Sequence, residues 1–190
     1  MSIYLSNPSS APDPAHLSGP DVPPVSLSFA SPSDGDLDAI EKLQSAVFGP
    51  GRFVRTAHRI RERSAEAKDL GRVARDGARI VGSIAYSHIT IGDHAALLLG
   101  PLAVARDWAG KGVGLRLMGD TLAQASKTGS RIVLLVGDLP YYARAGFEQV
   151  PPGSIDLGGP ADPARILWRA LHSDALDGVS GVVRPVRERA

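Results

Sequence analysis

Residues 108–114 read WAGKGVG, with glycines at positions 110, 112 and 114 around a single lysine. Behind this stretch lies the apolar run AALLLGPLAV (95–104), and ahead of it Leu115, Met118, Leu122 and Ala125 recur at helical spacing up to Gly129. Glycine fills regular structure poorly, so its clustering here marks a strand-to-helix turn whose backbone must curl or stay bare. Residues 132–136, IVLLV, then form an unbroken apolar run, as expected of a parallel strand covered on both faces. Strand, glycine turn, helix and strand make a crossover unit, expected to be right-handed, so the chain is held to an α/β fold.

The flanking sequence fits this frame. VSLSFA (25–30) alternates apolar and small polar residues, the period of a half-buried strand. In SPSDGD, Ser33 is placed to cap a helix with Asp36 three residues on, and Leu37, Ile40, Leu43 and Val47 share one helical face. Gly49-Pro50 ends that helix, and a second, weaker helix is expected over residues 55–68. Strands at 73–75 and 78–91 flank a hairpin turn at Asp76-Gly77, and Gly92-Asp93-His94 is the turn into a strand at 95–104. Gly100-Pro101 inside that last strand predicts a bulge or a splayed edge, since proline donates nothing to a ladder. Residues 147–150 and 165–171 read as two more strands, joined by a loop rich in Pro and Gly.

A length of 190 residues with 43% hydrophobic content suits one globular domain plus some slack, here residues 25–190. Residues 1–24 carry six prolines and only Asp13 and Asp21 as charges, which predicts a disordered tail. A formal charge of +1 gives no general attraction to nucleic acid or an anionic membrane, so neither is expected as a partner. No apolar run approaches the length of about 18 residues that spans a bilayer, and the N-terminal residues lack the pattern of a secretory leader. With no cysteine, disulfides, thiolate metal sites and cysteinyl intermediates are excluded, and a cytoplasmic protein is the expectation. Five scattered histidines give no metal-ligand spacing, so no metal is expected.

A helix starting near Val113 leaves its first N–H groups unpaired, at the positive end of its dipole. Gly110, Gly112 and Gly114 let a ligand approach without meeting a Cβ, and Lys111 adds charge, so the turn reads as a phosphate or diphosphate cradle. The spacing GxGxG is neither the dinucleotide fingerprint GxGxxG nor a P-loop, because Gly112 stands where Ser or Thr would hold magnesium. The simpler reading is a tight turn that needs glycine for its backbone angles alone.

LGPLAV, AGKGVGLRLM and VLLVGDLPYYARAGF, in this order and at this spacing, resemble the GNAT superfamily of N-acetyltransferases, in particular its bacterial YhbS-like branch. The likeness is strongest over residues 97–148, and LDGVSGVVRP is similar to the tail of that branch. The resemblance implies a mixed, mostly antiparallel α/β sheet with helices on both faces, and acetyl-CoA as acyl donor. The family signature Q/R-x-x-G-x-G/A falls on Ala109, Gly110, Lys111, Gly112, Val113 and Gly114, with Leu115 following. Ala109 departs from the long polar first residue, which predicts weaker rather than abolished binding, since main-chain amides do most of the holding. Leu102, Ala103 and Val104 carry over to the bulged strand along which the pantetheine arm lies. Tyr142 matches the second tyrosine of YYxRxGF and is the expected acid for the departing thiolate, whereas Tyr141 is expected to be structural, as is Asp138 capping the helix at Pro140.

Direct attack of an amine on a thioester needs a neutral nucleophile, an oxyanion donor and a proton for sulfur. A free N–H of residues 102–104 could supply the second. For the first, no base is singled out: His88, Asp93 and His94 are the nearby candidates, and structural roles suit them equally. The basic residues between Arg52 and Arg79 read as solvated helix faces with local charge pairs, against the alternative of a surface steering RNA or protein. The family resemblance implies that residues 150–164 and the region after the first helix wall the acceptor site. A non-catalytic acyl-CoA sensor is the alternative function, motivated by Ala109 and the lack of a carboxylate in the strand before the glycines. The acceptor is read as a small-molecule or protein amine, and a homodimer is left open.

Overall fold

The computed structural model describes residues 27–51 and 55–188. The expected tail (1–24), Val25, Ser26 and Arg52 lie outside these residues. Strand β1 (Leu27–Ala30) leads to Ser33, whose N–H and hydroxyl donate to the Asp36 carboxylate at 2.7 and 2.8 Å. This closure directs the chain into α1 (Leu37–Phe48), which ends at Gly49 with φ 65°. Leu43 is buried and Ile40 and Val47 pack on the core as their spacing predicts, but Leu37 is 60% exposed. It opens onto a groove between α1 and the sheet.

Asp36 also accepts from Arg75 Nη2 at 2.6 Å, and that bond, with those from Ser33, holds its carboxyl down at about 2. A carboxylate depressed in the folded state stabilises it fully above the unfolded value of about 3.9 and stops doing so as pH falls through the folded one. Thermal unfolding followed against pH is expected to lose stability between about pH 4 and 2, and Asp36→Asn to flatten that slope.

The chain continues through α2 (Thr56–Arg61), β2 (Arg72–Asp76), β3 (Arg79–Ile91), β4 (His94–Val104), α3 (Val113–Lys127), β5 (Ile132–Val136), α4 (Leu139–Tyr142), β6 (Glu148–Gln149), β7 (Ile155–Asp156), β8 (Ile166–Ala170) and β9 (Gly181–Pro185). The sheet runs β1-β2-β3-β4-β5-β8-β6, with β9 pairing both β3 and β7. Among the described residues only β4–β5 and β7–β9 are parallel, so the sheet is mixed and mostly antiparallel. Helices cover both faces. Val113 and Leu117 of α3 press on Gly82, and the Tyr86 hydroxyl bonds Thr121 Oγ1 at 2.8 Å. On the other face Ile60 of α2 packs with Ile89 and Ile91.

Two expectations change. The helix predicted over residues 55–68 stops at Arg61, because β3 is longer than β2 and its outer edge is divided between β2 and β9. Ala65 and Ala67 fill the gap, bonding Val186, His88 and Tyr86, and a backbone used by the sheet cannot also be helical. Strand β9 was read only as a tail motif, and its role as the second partner of β3 depends on contacts nearly a hundred residues apart in sequence.

Candidate active site

Between Ile84 and Tyr86 the ladder advances two residues on β3, while β4 advances three, from Leu99 to Leu102. The extra residue is a bulge at Gly100-Pro101, a cis bond, with Gly100 at φ 124° where only glycine sits without strain. Pairing of β4 with β5 ends at Leu98↔Leu134, so the two strands part at the bulge as Gly100-Pro101 predicts. Ala105 N–H bonds Val81 O, and alternation along an antiparallel ladder then turns the N–H of Ala103 to β3 as well. Leu102 and Val104 therefore direct theirs to the side that β5 has left. The three carried-over positions thus divide: Ala103 is fully buried and bonded within the sheet, and the other two face the opening.

Beyond β4, Arg79 grips Asp107 through both guanidinium nitrogens, at 2.6 and 3.0 Å, and so fixes the turn before the glycines. Gly110 and Gly112 have φ 75° and 81°, and neither has an atom within 4 Å of where a Cβ would be. Their side of the turn is open. Among the described residues, the N–H groups of Gly110, Gly112, Val113, Gly114 and Leu115 have no acceptor, and the first bond of the helix is Arg116 N–H to Gly112 O. Lys111 Nζ lies 4.7 Å over the Trp108 ring at this turn, and Ala109 is exposed beside it. Val113 is buried and Leu115 packs on the core, which anchors the helix end.

Gly114 touches the next element. A Cβ on it would collide with the Tyr141 hydroxyl and meet Val104 Cγ2 at 3.4 Å, so the glycine lets Tyr141 lie against the start of α3. Tyr141 and Tyr142 meet edge to face with centroids 5.1 Å apart, and Tyr142 also packs on Phe147 at 6.0 Å. The Tyr142 ring occupies the space that a Cβ on Gly137 would need. Burial, then the proximity of Tyr141 and Asp138, pushes the Tyr142 hydroxyl up to about 12, against a smaller opposing effect of Arg165. It is thus a neutral phenol able to donate at any physiological pH. Asp138 precedes α4 but makes no side-chain cap; its carboxylate pairs with Arg165 at 3.2 Å instead.

Tyr142 lines a cavity of about 290 Å³ together with Leu99, Gly100, Pro101, Leu102 and Val136, which places it where β4 and β5 part. The opposite wall comes from Arg55, Thr56, His58 and Arg61 of the α2 region and from Pro160, Ala161 and Asp162. A neighbouring groove shares Gln44, His58, Arg61, Gly100 and Pro101 and continues over Ser83, Ala85 and Ser87, the small residues on that face of β3. His58 Nε2 lies 3.2 Å from Glu62 Oε1, one helical turn on. His88, Asp93 and His94 are exposed, and the last two sit at the opposite end of β4 from residues 102–104.

The sequence reading missed His58 and Arg61. The only signal was HRIRE itself, which pairs His58 with Glu62 at i, i+4 and reads as a solvated face. Of the basic residues from Arg55 to Arg79, Arg75 and Arg79 lie on strands rather than helix faces and pair with carboxylates distant in sequence, Asp36 and Asp107, because the sheet brings those segments together. Arg61 instead turns inward. Among the described residues no cluster of His, Asp or Glu is placed to hold a metal ion.

Residues 69–149 match the family model described as an acetyltransferase (GNAT) domain. A curated protein of Escherichia coli K12 named as the uncharacterized N-acetyltransferase YhbS is 28% identical over 151 residues, covering 78% of this chain and 89% of that protein. The crystal structure of YhbS from Escherichia coli, solved with CoA, superposes with a TM-score of 0.72 at 25% identity, over 86% of this chain and 91% of that one. A GNAT family acetyltransferase from Brucella melitensis, solved with acetyl-CoA, gives a TM-score of 0.55 at 26% identity, covering 80% and 99%.

Proposed function

We propose that this chain, an N-acetyltransferase of the GNAT family, moves the acetyl group of acetyl-CoA to a primary amine by direct attack on the thioester. The observation that carries this reading is the run of amides at residues 112–115 without acceptors, set beside the point where β4 leaves β5. Those amides, with Gly110, Lys111 and the dipole of α3, would hold the diphosphate; the Leu102 and Val104 N–H groups would hold the pantetheine arm and the carbonyl oxygen. Acetyl-CoA supplies the reactive carbonyl. As the amine bonds to it and the C–S bond breaks, the Tyr142 hydroxyl gives its proton to sulfur. The His58–Glu62 pair faces the same cavity and is the group suited to take the proton of the incoming amine.

The sensor alternative is not favoured, since the similar proteins are named as N-acetyltransferases. A cytoplasmic setting, a small-molecule or protein amine as acceptor and a homodimer belong to the same proposal. Among the described residues no helix is long and apolar enough to cross a membrane. Acetyl-CoA is expected to raise the melting temperature in a saturable way, and an amine panel to release free CoA, read with a thiol reagent against a protein that has no cysteine of its own. Absence of any acetyl-CoA-dependent shift would remove the proposal.

A further inference from the structure

We propose that Arg61 anchors the acceptor, so that the amine acetylated here carries a carboxylate on a short spacer. This rests on the acetyl-transfer reading and names its substrate class.

Among the described residues Arg61 differs from the other partly buried arginines, Arg72, Arg75 and Arg169, whose guanidinium groups all donate hydrogen bonds. Arg72 donates to the carbonyls of Asp69 and Gly71, Arg75 pairs with Asp36, Arg79 with Asp107, and Arg165 with Asp138. The Arg61 side chain has no hydrogen bond or ion pair among the described residues, although the residue is partly buried. A guanidinium removed from water with its donors unmatched is costly unless an anion meets it. Desolvation, with repulsion from Arg55, lowers it to about 10, which leaves it charged at neutral pH.

Glu62 and Asp162 have other hydrogen-bond or ion-pair partners, although Glu62 also attracts the Arg61 charge. Glu62 pairs with His58, and Asp162 accepts the Ala164 N–H at 3.0 Å. Arg55 faces the same cavity and adds to its positive potential.

Position sets the spacer. Arg61 Nη1 lies 3.4 Å from where a Cβ on Gly100 would be, so the guanidinium rests on the bulge itself. The thioester is to be presented along residues 100–102. A carboxylate forked onto Arg61 therefore holds its own molecule's amine beside that carbonyl only if few bonds separate the two groups.

The test uses the full chain loaded with CoA, titrated calorimetrically with N-acetylated amino acids and with their neutral amides. The acids are expected to bind at least 10-fold more tightly than the amides. In Arg61→Met that preference disappears while CoA affinity is kept, and in turnover the KM of carboxylate-bearing amines relative to that of their amides rises about 10- to 100-fold. Arg61→Lys, which keeps the charge but not the guanidinium fork, is expected to retain part of the preference. Equal binding of acids and amides by the wild type, no binding of either, or an undiminished preference in Arg61→Met would each overturn the anchor while CoA still binds. Failure of the wild type to bind CoA would instead strike at acetyl transfer itself.

Discussion

Tyr142→Phe is expected to lower kcat by roughly 10²- to 10⁴-fold while the acetyl-CoA Kd stays within about twofold. The ring is held by Tyr141 and Phe147 and by the space over Gly137, contacts that a phenylalanine keeps. Only the hydroxyl is lost, and with it the proton for the departing sulfur. Because burial holds that hydroxyl up to about 12, it is protonated through the whole assay range. Activity should therefore show no descending limb from this group below about pH 10, since loss of an acid sets in only as pH nears its own pKa. Steady-state rates from pH 6 to 10 on both proteins check this. A phenylalanine variant with unchanged kcat would reduce Tyr142 to part of the cavity wall.

Gly112→Val should raise the acetyl-CoA Kd by at least about 10-fold and lower stability by roughly 1–2 kcal/mol, through backbone strain rather than collision. Nothing lies within 4 Å of the position a Cβ would take, so space is available. The obstacle is φ 81°, which a β-branched residue does not accept. Relaxing that angle would turn the amides of Gly112, Val113 and Gly114 away from a common point, and their convergence is what a diphosphate would recognise. Gly112→Asn, which tolerates the left-handed region, is expected to recover much of both losses. Titration calorimetry with acetyl-CoA and thermal unfolding on the pair separate strain from bulk. If the valine variant bound acetyl-CoA as tightly as the wild type, the cradle would lie elsewhere.

The features that were legible in advance are those a short stretch of chain decides alone. The hairpin at Gly77, the closure of Ser33 on Asp36, the end of α1 at Gly49 and the turn at Gly112 each follow from a local dihedral demand or a bond three residues long. The apolar run in β5 and the stripe of α3 needed only periodicity. Where a second segment competes for the same groups, local reading failed. Residues 65–67 have helical character in isolation, yet the open edge of β3 takes their backbone. Asp138 has the chemistry of a cap, but Arg165, delivered from the far side of a long loop, takes its carboxylate.

The same division runs through the site. The amino-acid sequence by itself determined the glycine turn, the bulge at Gly100-Pro101 and the paired tyrosines, because each is written in residue types that admit few conformations. Only the tertiary structure decided that Leu102 and Val104 turn their amides to the opening while Ala103 does not, since that depends on which strand pairs with β4 and where β5 leaves it. It also decided that Arg61 faces a cavity rather than solvent. The charge pattern around Arg61 is that of any exposed helix, and the direction of a side chain on a six-residue helix is fixed by the sheet it packs on.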